Sequence, residues 1–253
     1  MSDTLIGGYI SLASVLNADS REVKKIILDK ERQSRICSAS YHYPEKAQYR
    51  EIAKFSKKLS IPVEYVTEKE FSALSGGEAY GGIAAYVGDR RVLDAEELVK
   101  CGKYFLIIDG IEDPFNFGYV LRTAFACGCD GVLLPERNYF TSSNIVIRSS
   151  AGASELMKVA YYDDIEKTVD LLKSHNIRIA CTAKTENSVS LSEYTASSPI
   201  CVVIGGEKRG INKALMAKAD DVICIDYKNS YAMSLSASSA AAIIIYGVAS
   251  RLK

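Results

Sequence analysis

From residue 104 onward, short apolar runs alternate with amphipathic stretches, and this alternation limits the folds open to the chain. The runs lie at 104–108, 131–134, 156–161, 178–182, 200–204 and 222–225. Helical spacing of apolar residues occupies 117–127, 144–151, 165–175, 212–218 and 234–251. Continuously apolar strands separated by helices predict a parallel sheet covered on both faces. In such sheets ligands bind beyond the carboxyl ends of the strands, so the loops that follow the runs are where chemistry is expected.

The first hundred residues read differently. Helical patterns run from Ile10 to Leu16 and from Glu45 to Leu59, the latter with Ala47, Ile52, Phe55 and Leu59 on one side. Strand-like runs occupy 25–28, 62–66 and 83–87, and 75–82 is a glycine-rich loop. The charged stretch 89–100 reads as a linker or linking helix. At 253 residues the chain makes one large domain or two modest ones. A 48% hydrophobic and 25% charged composition excludes disorder throughout. The 31 basic residues balance the 31 acidic ones, so bulk charge names no partner. No run reaches the roughly 18 apolar residues of a membrane span. The start of the chain lacks a secretory pattern, and the seven cysteines are odd in number and placed partly in apolar runs. A cytoplasmic protein with free thiols is expected. Cys127 and Cys129 lack zinc spacing and the two histidines lie far off, so no metal is expected.

Three loops carry information. Asp109–Arg122 follows a strand and opens a helix, with Asn116 a good N-cap and Arg122 following on the helix. The pair suits a grip on a phosphate and a ribose hydroxyl; composition alone favours an ordinary cap and a surface arginine. Val203–Asn212 holds Gly205-Gly206 and Gly210 around Glu207, and its spacing is neither the dinucleotide fingerprint nor a P-loop. It brings backbone close to a ligand or is a tight turn with a solvated tip. Asp226–Ala240 leads into a helix of small residues, with Ser234 as N-cap.

Taken in order, these loops resemble the SpoU family of RNA ribose 2′-O-methyltransferases, in the SPOUT superfamily. Asn116-Phe117-Gly118 with Arg122-Thr123-Ala124 is similar to the family's first motif, Asn-x-Gly-x-x-x-Arg-Thr-Ala. Gly205-Gly206-Glu207 with Gly210 is similar to its second, Gly-x-Glu-x-x-Gly, and Ser234-Leu235-Ser236-Ala237-Ser238 to its third, Ser-Leu-Asn-Val-Ser. Gly128–Pro135 and Ser149–Ala153 also look like the family.

The resemblance implies an α/β protein. Residues 104–253 would form a SPOUT α/β-knot with a mostly parallel sheet and a deep trefoil knot, and 1–90 a small α/β RNA substrate-binding domain, joined by a linker at 91–103. It implies S-adenosylmethionine as methyl donor without a metal, contacted around Thr182, Gly205, Ile225 and Leu235. It implies Asn116, Arg122, Glu207, Ser234 and Ser236 as the catalytic set, a homodimer formed through the knotted domain, and structured RNA as partner, ribosomal before transfer RNA. Ser236 stands where the family has asparagine, and a hydroxyl reaches less far than a carboxamide. The lead-in Ile225-Asp226-Tyr227-Lys228-Asn229 replaces the family's Ile-Pro-Met-x-Gly.

RNA binding asks for a basic footprint. Residues 21–58 hold eleven basic against five acidic residues, with Tyr41, His42, Tyr43 and Tyr49 interleaved for base stacking. Lys54, Lys57 and Lys58, with Arg122, are the expected RNA contacts. A solvated helix face with an aromatic core edge is the other reading.

Overall fold

The computed structural model describes residues 3–39, 43–135, 143–206, 209–229 and 234–252. In chain order the first stretch runs β1 (Thr4–Gly7), α1 (Tyr9–Ala18), β2 (Val23–Asp29), α2 (Lys30–Ser38), α3 (Glu45–Leu59), β3 (Val63–Val66), α4 (Glu68–Leu74) and β4 (Ile83–Val87). Next come α5 (Ala95–Val99), β5 (Tyr104–Asp109), α6 (Pro114–Ala126), β6 (Gly131–Pro135), α7 (Ser143–Ser149) and α8 (Ala153–Leu156). The remainder is β7 (Val159–Tyr162), α9 (Ile165–Ser174), β8 (Arg178–Thr182), β9 (Val189–Ser190), β10 (Ile200–Gly205), α10 (Lys213–Lys218), β11 (Asp221–Cys224) and α11 (Ala237–Ala249).

Two compact units emerge. The first comprises residues 1–91 together with 143–156, and the second 92–142 together with 157–253. The boundaries expected from the sequence miss this return of the chain. They also miss the role of 92–99: Leu93 N–H donates to Val159 O at 2.8 Å, and Leu98 and Val99 are buried. Residues read as a linker therefore belong to the second unit's core.

The first unit is built on a four-stranded sheet in the order β1-β4-β2-β3, mixed in direction. Ile6, Leu12, Val15, Ile26, Ile52 and Ile83 form its core. Charge is buried here too. Glu155 of α8 takes a bidentate grip from Arg21 at 3.0 and 3.2 Å and a third contact from Arg90 at 3.2 Å, while Ser20 donates its hydroxyl to the same carboxylate. Arg21, counted above in the basic footprint, is 3% exposed and so belongs to the interior. Burial alone pushes the Glu155 carboxyl up, but Arg90 and Arg21 outweigh it and hold the pKa below the ordinary value.

The second unit is built on a seven-stranded sheet, β7-β6-β5-β10-β8-β11-β9, parallel throughout. Phe105, Ile107, Leu133, Ile179 and Val203 are fully buried on it, as both-face coverage requires. The chain lays down β5, β6 and β7 outward, then crosses to β8, and β10 enters later between β5 and β8. That reversal puts the carboxyl ends of β8, β10 and β11 side by side. Among the described residues no helix is long and apolar enough to cross a membrane.

Candidate active site

The three adjacent strand ends open onto one cavity of about 420 Å³. Thr182 ends β8 and Lys184 follows it, Gly205 ends β10 and Gly206 follows it, and Ile223 and Ile225 bracket the end of β11. Leu235, just before α11, and Ala237, Ala241 and Ile244 within it complete the wall. Thr182, Gly205, Ile225 and Leu235, the positions singled out for the methyl donor, are thus gathered around a single space.

The walls are set by backbone. A Cβ on Gly205 would lie 2.8 Å from the Gly210 carbonyl carbon, and one on Gly206 would lie 2.0 Å from Gly110 O. Gly206 N–H donates to Asp109 O at 2.8 Å, and Asp109 Oδ2 accepts from Asn212 N–H at 2.7 Å, tying the end of β5 to the loop after β10. Only glycine allows these strands to meet so closely while leaving main-chain groups at the cavity. Thr182 Oγ1 donates to Val203 O at 2.9 Å, and Leu235 N–H donates to the Tyr227 hydroxyl at 2.9 Å, closing the third loop. The Cys181 thiol beside it is pushed up to about 12 by burial, so it is an inert thiol and not a nucleophile.

Asn116 and Ser234 are placed differently from the sequence expectation. Helix α6 begins at Pro114 with Asp113 as N-cap, whose Oδ1 accepts from Asn116 N–H at 2.8 Å. Proline's preset φ favours that first-turn start, so Asn116 lies inside the helix with its side chain released. Its Oδ1 accepts from Ser238 Oγ at 3.0 Å, which brings the first and third motifs together. Helix α11 begins at Ala237, capped by Ser236 and not Ser234: Ser236 Oγ accepts from Ser239 N–H at 3.2 Å. Ser234 lines the cavity instead. A smaller cavity of about 140 Å³ joins Asn116, Asp113, Arg209 and Ala237. Arg122 lies two turns along α6, exposed and on the wall of neither cavity. Glu207 lies outside the described residues.

Sequence reasoning passed over Ser238, Arg209 and Lys184. Ser238 was legible as the last residue of the third motif and Arg209 as part of the tip of the loop after β10; nothing local marked Lys184. On the first unit, Lys54, Lys57 and Lys58 are exposed on α3 and form no ion pair among the described residues. By contrast Lys24 pairs with Asp3, and Lys25 with Glu64 at 2.6 Å. Tyr49, expected as a stacking residue, is 2% exposed and donates its hydroxyl to Gly81 O at 2.8 Å, so it is a core residue. Tyr41 and His42 lie outside the described residues.

A parallel sheet whose strand ends meet over a glycine-walled cavity defines an α/β ligand-binding class, and comparison with known proteins narrows it. Residues 103–246 match the SpoU rRNA Methylase family. The chain is 33% identical over 210 residues to a putative TrmH family tRNA/rRNA methyltransferase of Staphylococcus saprophyticus, covering 81% of this chain and 83% of that one. In fold it is similar to the AdoMet-bound rRNA methyltransferase from Sinorhizobium meliloti, with a TM-score of 0.78 at 18% identity, covering 97% of this chain and 86% of the other. It is also similar to an RNA 2′-O ribose methyltransferase, with a TM-score of 0.73 at 22% identity and coverage of 98% and 88%. The chain belongs to the SpoU rRNA methylase family.

Proposed function

We propose that this protein transfers a methyl group from S-adenosylmethionine to a ribose 2′-hydroxyl of RNA, with 23S ribosomal RNA as substrate and the first unit as its RNA-binding part. The observation that carries the reading is the meeting of the loops after β8, β10 and β11 with the start of α11 around one cavity, beside the Asn116–Ser238 contact. The residues fit the donor. About 420 Å³ falls in the range of small-molecule pockets, roughly 300–1,000 Å³. Ile204, Ile223 and Ile244 supply an apolar lining, and the half-buried backbone of Gly205 and the polar side chains of Thr182, Lys184 and Ser234 supply polar groups.

When bound, the donor would supply an electrophilic sulfonium methyl to the ribose oxygen, the S–CH3 bond breaking as O–CH3 forms, S-adenosylhomocysteine leaving and the hydroxyl proton passing to solvent. The chain's own residues hold the hydroxyl in line with it. Arg122 orients the RNA phosphate and the 2′-hydroxyl; its planar guanidinium is a fork of donors, not a base. Asn116, braced by Ser238, positions the ribose. Alignment of this kind supplies most of the acceleration. Glu207 and Ser234 shape the loops.

The reading extends to a deep trefoil knot, supported by the late entry of β10 between β5 and β8. It extends to a homodimer through the second unit, supported by an exposed apolar stripe on α6 and α11: Phe115 at 51%, Tyr119 at 47% and Tyr246 at 67% exposure. Arg122 follows Tyr119 by three residues and shares that stripe. A transfer RNA substrate is the nearer alternative. Ser236, spent on capping α11, favours a second one, a knotted RNA-binding protein with weakened transfer.

Ribose-methylation mapping of ribosomal RNA from a deletion strain, with calorimetry of S-adenosylhomocysteine binding, tests this. One 2′-O-methyl lost from 23S RNA is expected, together with binding. Loss from a transfer RNA moves the substrate, and binding without any lost methyl favours the weakened enzyme. No binding overturns the reading.

A further inference from the structure

The first unit holds a cavity of about 520 Å³ that no part of the methyl-transfer site uses. Tyr9 and Ile10, at the start of α1, form one wall. Glu45 and Gln48 of α3 form another, and Tyr80 with Arg148 of α7 the third.

Tyr80 is fixed there from several sides. Its φ is 45°, a left-handed conformation that a bulky side chain rarely adopts and that persists only where surroundings over-determine it. Its ring lies so close over Gly7 that a Cβ there would fall 2.2 Å from ring carbons. Its hydroxyl accepts from Asn144 Nδ2 at 2.8 Å, and Asn144 Oδ1 accepts from Gly7 N–H at 3.1 Å. The Arg148 guanidinium stands 5.1 Å from the ring centroid and pairs with Glu78 at 3.4 Å, both side chains about half exposed. Three separate chain segments thus hold one aromatic ring and one cation at the mouth of a cavity.

The lining is mixed in a particular way. A guanidinium offers paired donors to a phosphate. The Tyr9 ring lies on the wall, the Tyr80 ring offers its outer face to a base once the Arg148 guanidinium over it turns to a phosphate, and the Glu45 carboxylate and Gln48 amide offer acceptors and donors to a base edge. A simple anion gains nothing from Glu45, and an apolar peptide gains nothing from Arg148. A nucleotide uses all of them, and only an unpaired one presents its pairing edge. We infer that this cavity receives one unpaired nucleotide of the RNA substrate, its phosphate on Arg148 in exchange for Glu78 and its base between Tyr80 and the Glu45–Gln48 wall. The inference rests on the reading that the protein acts on RNA, and it gives the first unit a preference for looped over fully paired RNA.

The test uses the full chain, a fluorescein-labelled RNA hairpin with a single-stranded purine loop, and a fully paired duplex of equal length, followed by anisotropy across a salt series. The unaltered protein is expected to favour the hairpin. Arg148→Met is expected to lower hairpin affinity about five- to tenfold and to flatten its salt dependence by about one counterion. Gln48→Leu, across the cavity from the Tyr80 network, is expected to lower hairpin affinity about threefold with the salt dependence kept. Duplex binding and S-adenosylhomocysteine binding should hold in both variants. Variants that bind the hairpin as the unaltered protein does, or a fall shared equally by hairpin and duplex, overturn the inference alone. An unaltered protein that binds neither RNA nor S-adenosylhomocysteine overturns the functional reading and the inference with it.

Discussion

The two units of this protein are held together and put to use in opposite ways. The second buries an unbroken apolar sheet and makes its site from backbone: glycines at 205 and 206, strand ends, and hydroxyls tied to main-chain atoms. The first buries a carboxylate between two arginines and exposes charged side chains such as Lys54, Lys57 and Lys58 on α3. A backbone site is pre-organised and intolerant of added atoms. A charged face tolerates substitution, and its strength varies with salt. On the proposed function, the contrast assigns donor geometry to one unit and RNA capture to the other.

The sharpest way to break that contrast is at Glu155. Removing one partner of a buried charge cluster leaves uncompensated charge, so Glu155→Gln is expected to destabilise the first unit by about 3–5 kcal/mol. Its carboxyl is held below the ordinary value of 4.5 by Arg90 and Arg21. The sign follows: the cluster's contribution is present above that ordinary value and is lost as pH falls through the depressed one. Thermal melts should show the unaltered protein losing stability below about pH 4.5, with the loss absent in Glu155→Gln. S-adenosylhomocysteine binding by the second unit should persist; its loss with the first unit's fold would mean the two are not separable.

Next in size is Arg122→Ala. If the second unit's chemistry depends on alignment, methyl transfer should fall at least about a hundredfold while S-adenosylhomocysteine affinity stays within twofold. Transfer at near-normal rates would remove Arg122 from the site. A smaller effect is expected on the first unit. Replacing Lys54, Lys57 and Lys58 by alanine should lower RNA affinity about tenfold at low salt and flatten the salt dependence by about two counterions, without changing the melt. Unchanged salt dependence would place the RNA elsewhere.

These differences also explain what the sequence made legible. A buried parallel strand has to be apolar along its length, so β5, β8 and β10 appeared nearly to the residue. Helix α3, strongly amphipathic, appeared with both ends correct. The short helices α2 and α4 did not, and α5 only as a linker or linking helix over 89–100, since each depends on a cap and not on periodicity: Asp29, Thr67 and Asp94 accept from first-turn N–H groups. The Thr67–Glu70 capping box was there to be seen. The burial of Arg21 was not, because its partner Glu155 lies 134 residues away and no local pattern marks the pair. At the site, motif order gathered Thr182, Gly205, Ile225 and Leu235. Which serine capped α11 turned on two residues of helix start, a boundary that sequence patterns leave loose.

That serine carries the smallest prediction and the finest test of the second unit. Ser236 Oγ accepts from Ser239 N–H, so Ser236→Ala should cost about 1 kcal/mol and lower the melting temperature by about 2–4 °C. Ser236→Asn keeps a strong cap, because asparagine and serine cap about equally well, and it also supplies the carboxamide that the family motif carries. Stability should therefore stay level while any change in transfer reports on reach alone. A transfer rate that rises in Ser236→Asn with S-adenosylhomocysteine affinity unchanged would show that this chain's serine limits its chemistry. An unchanged rate would show that the start of α11 needs a cap at this position and nothing more.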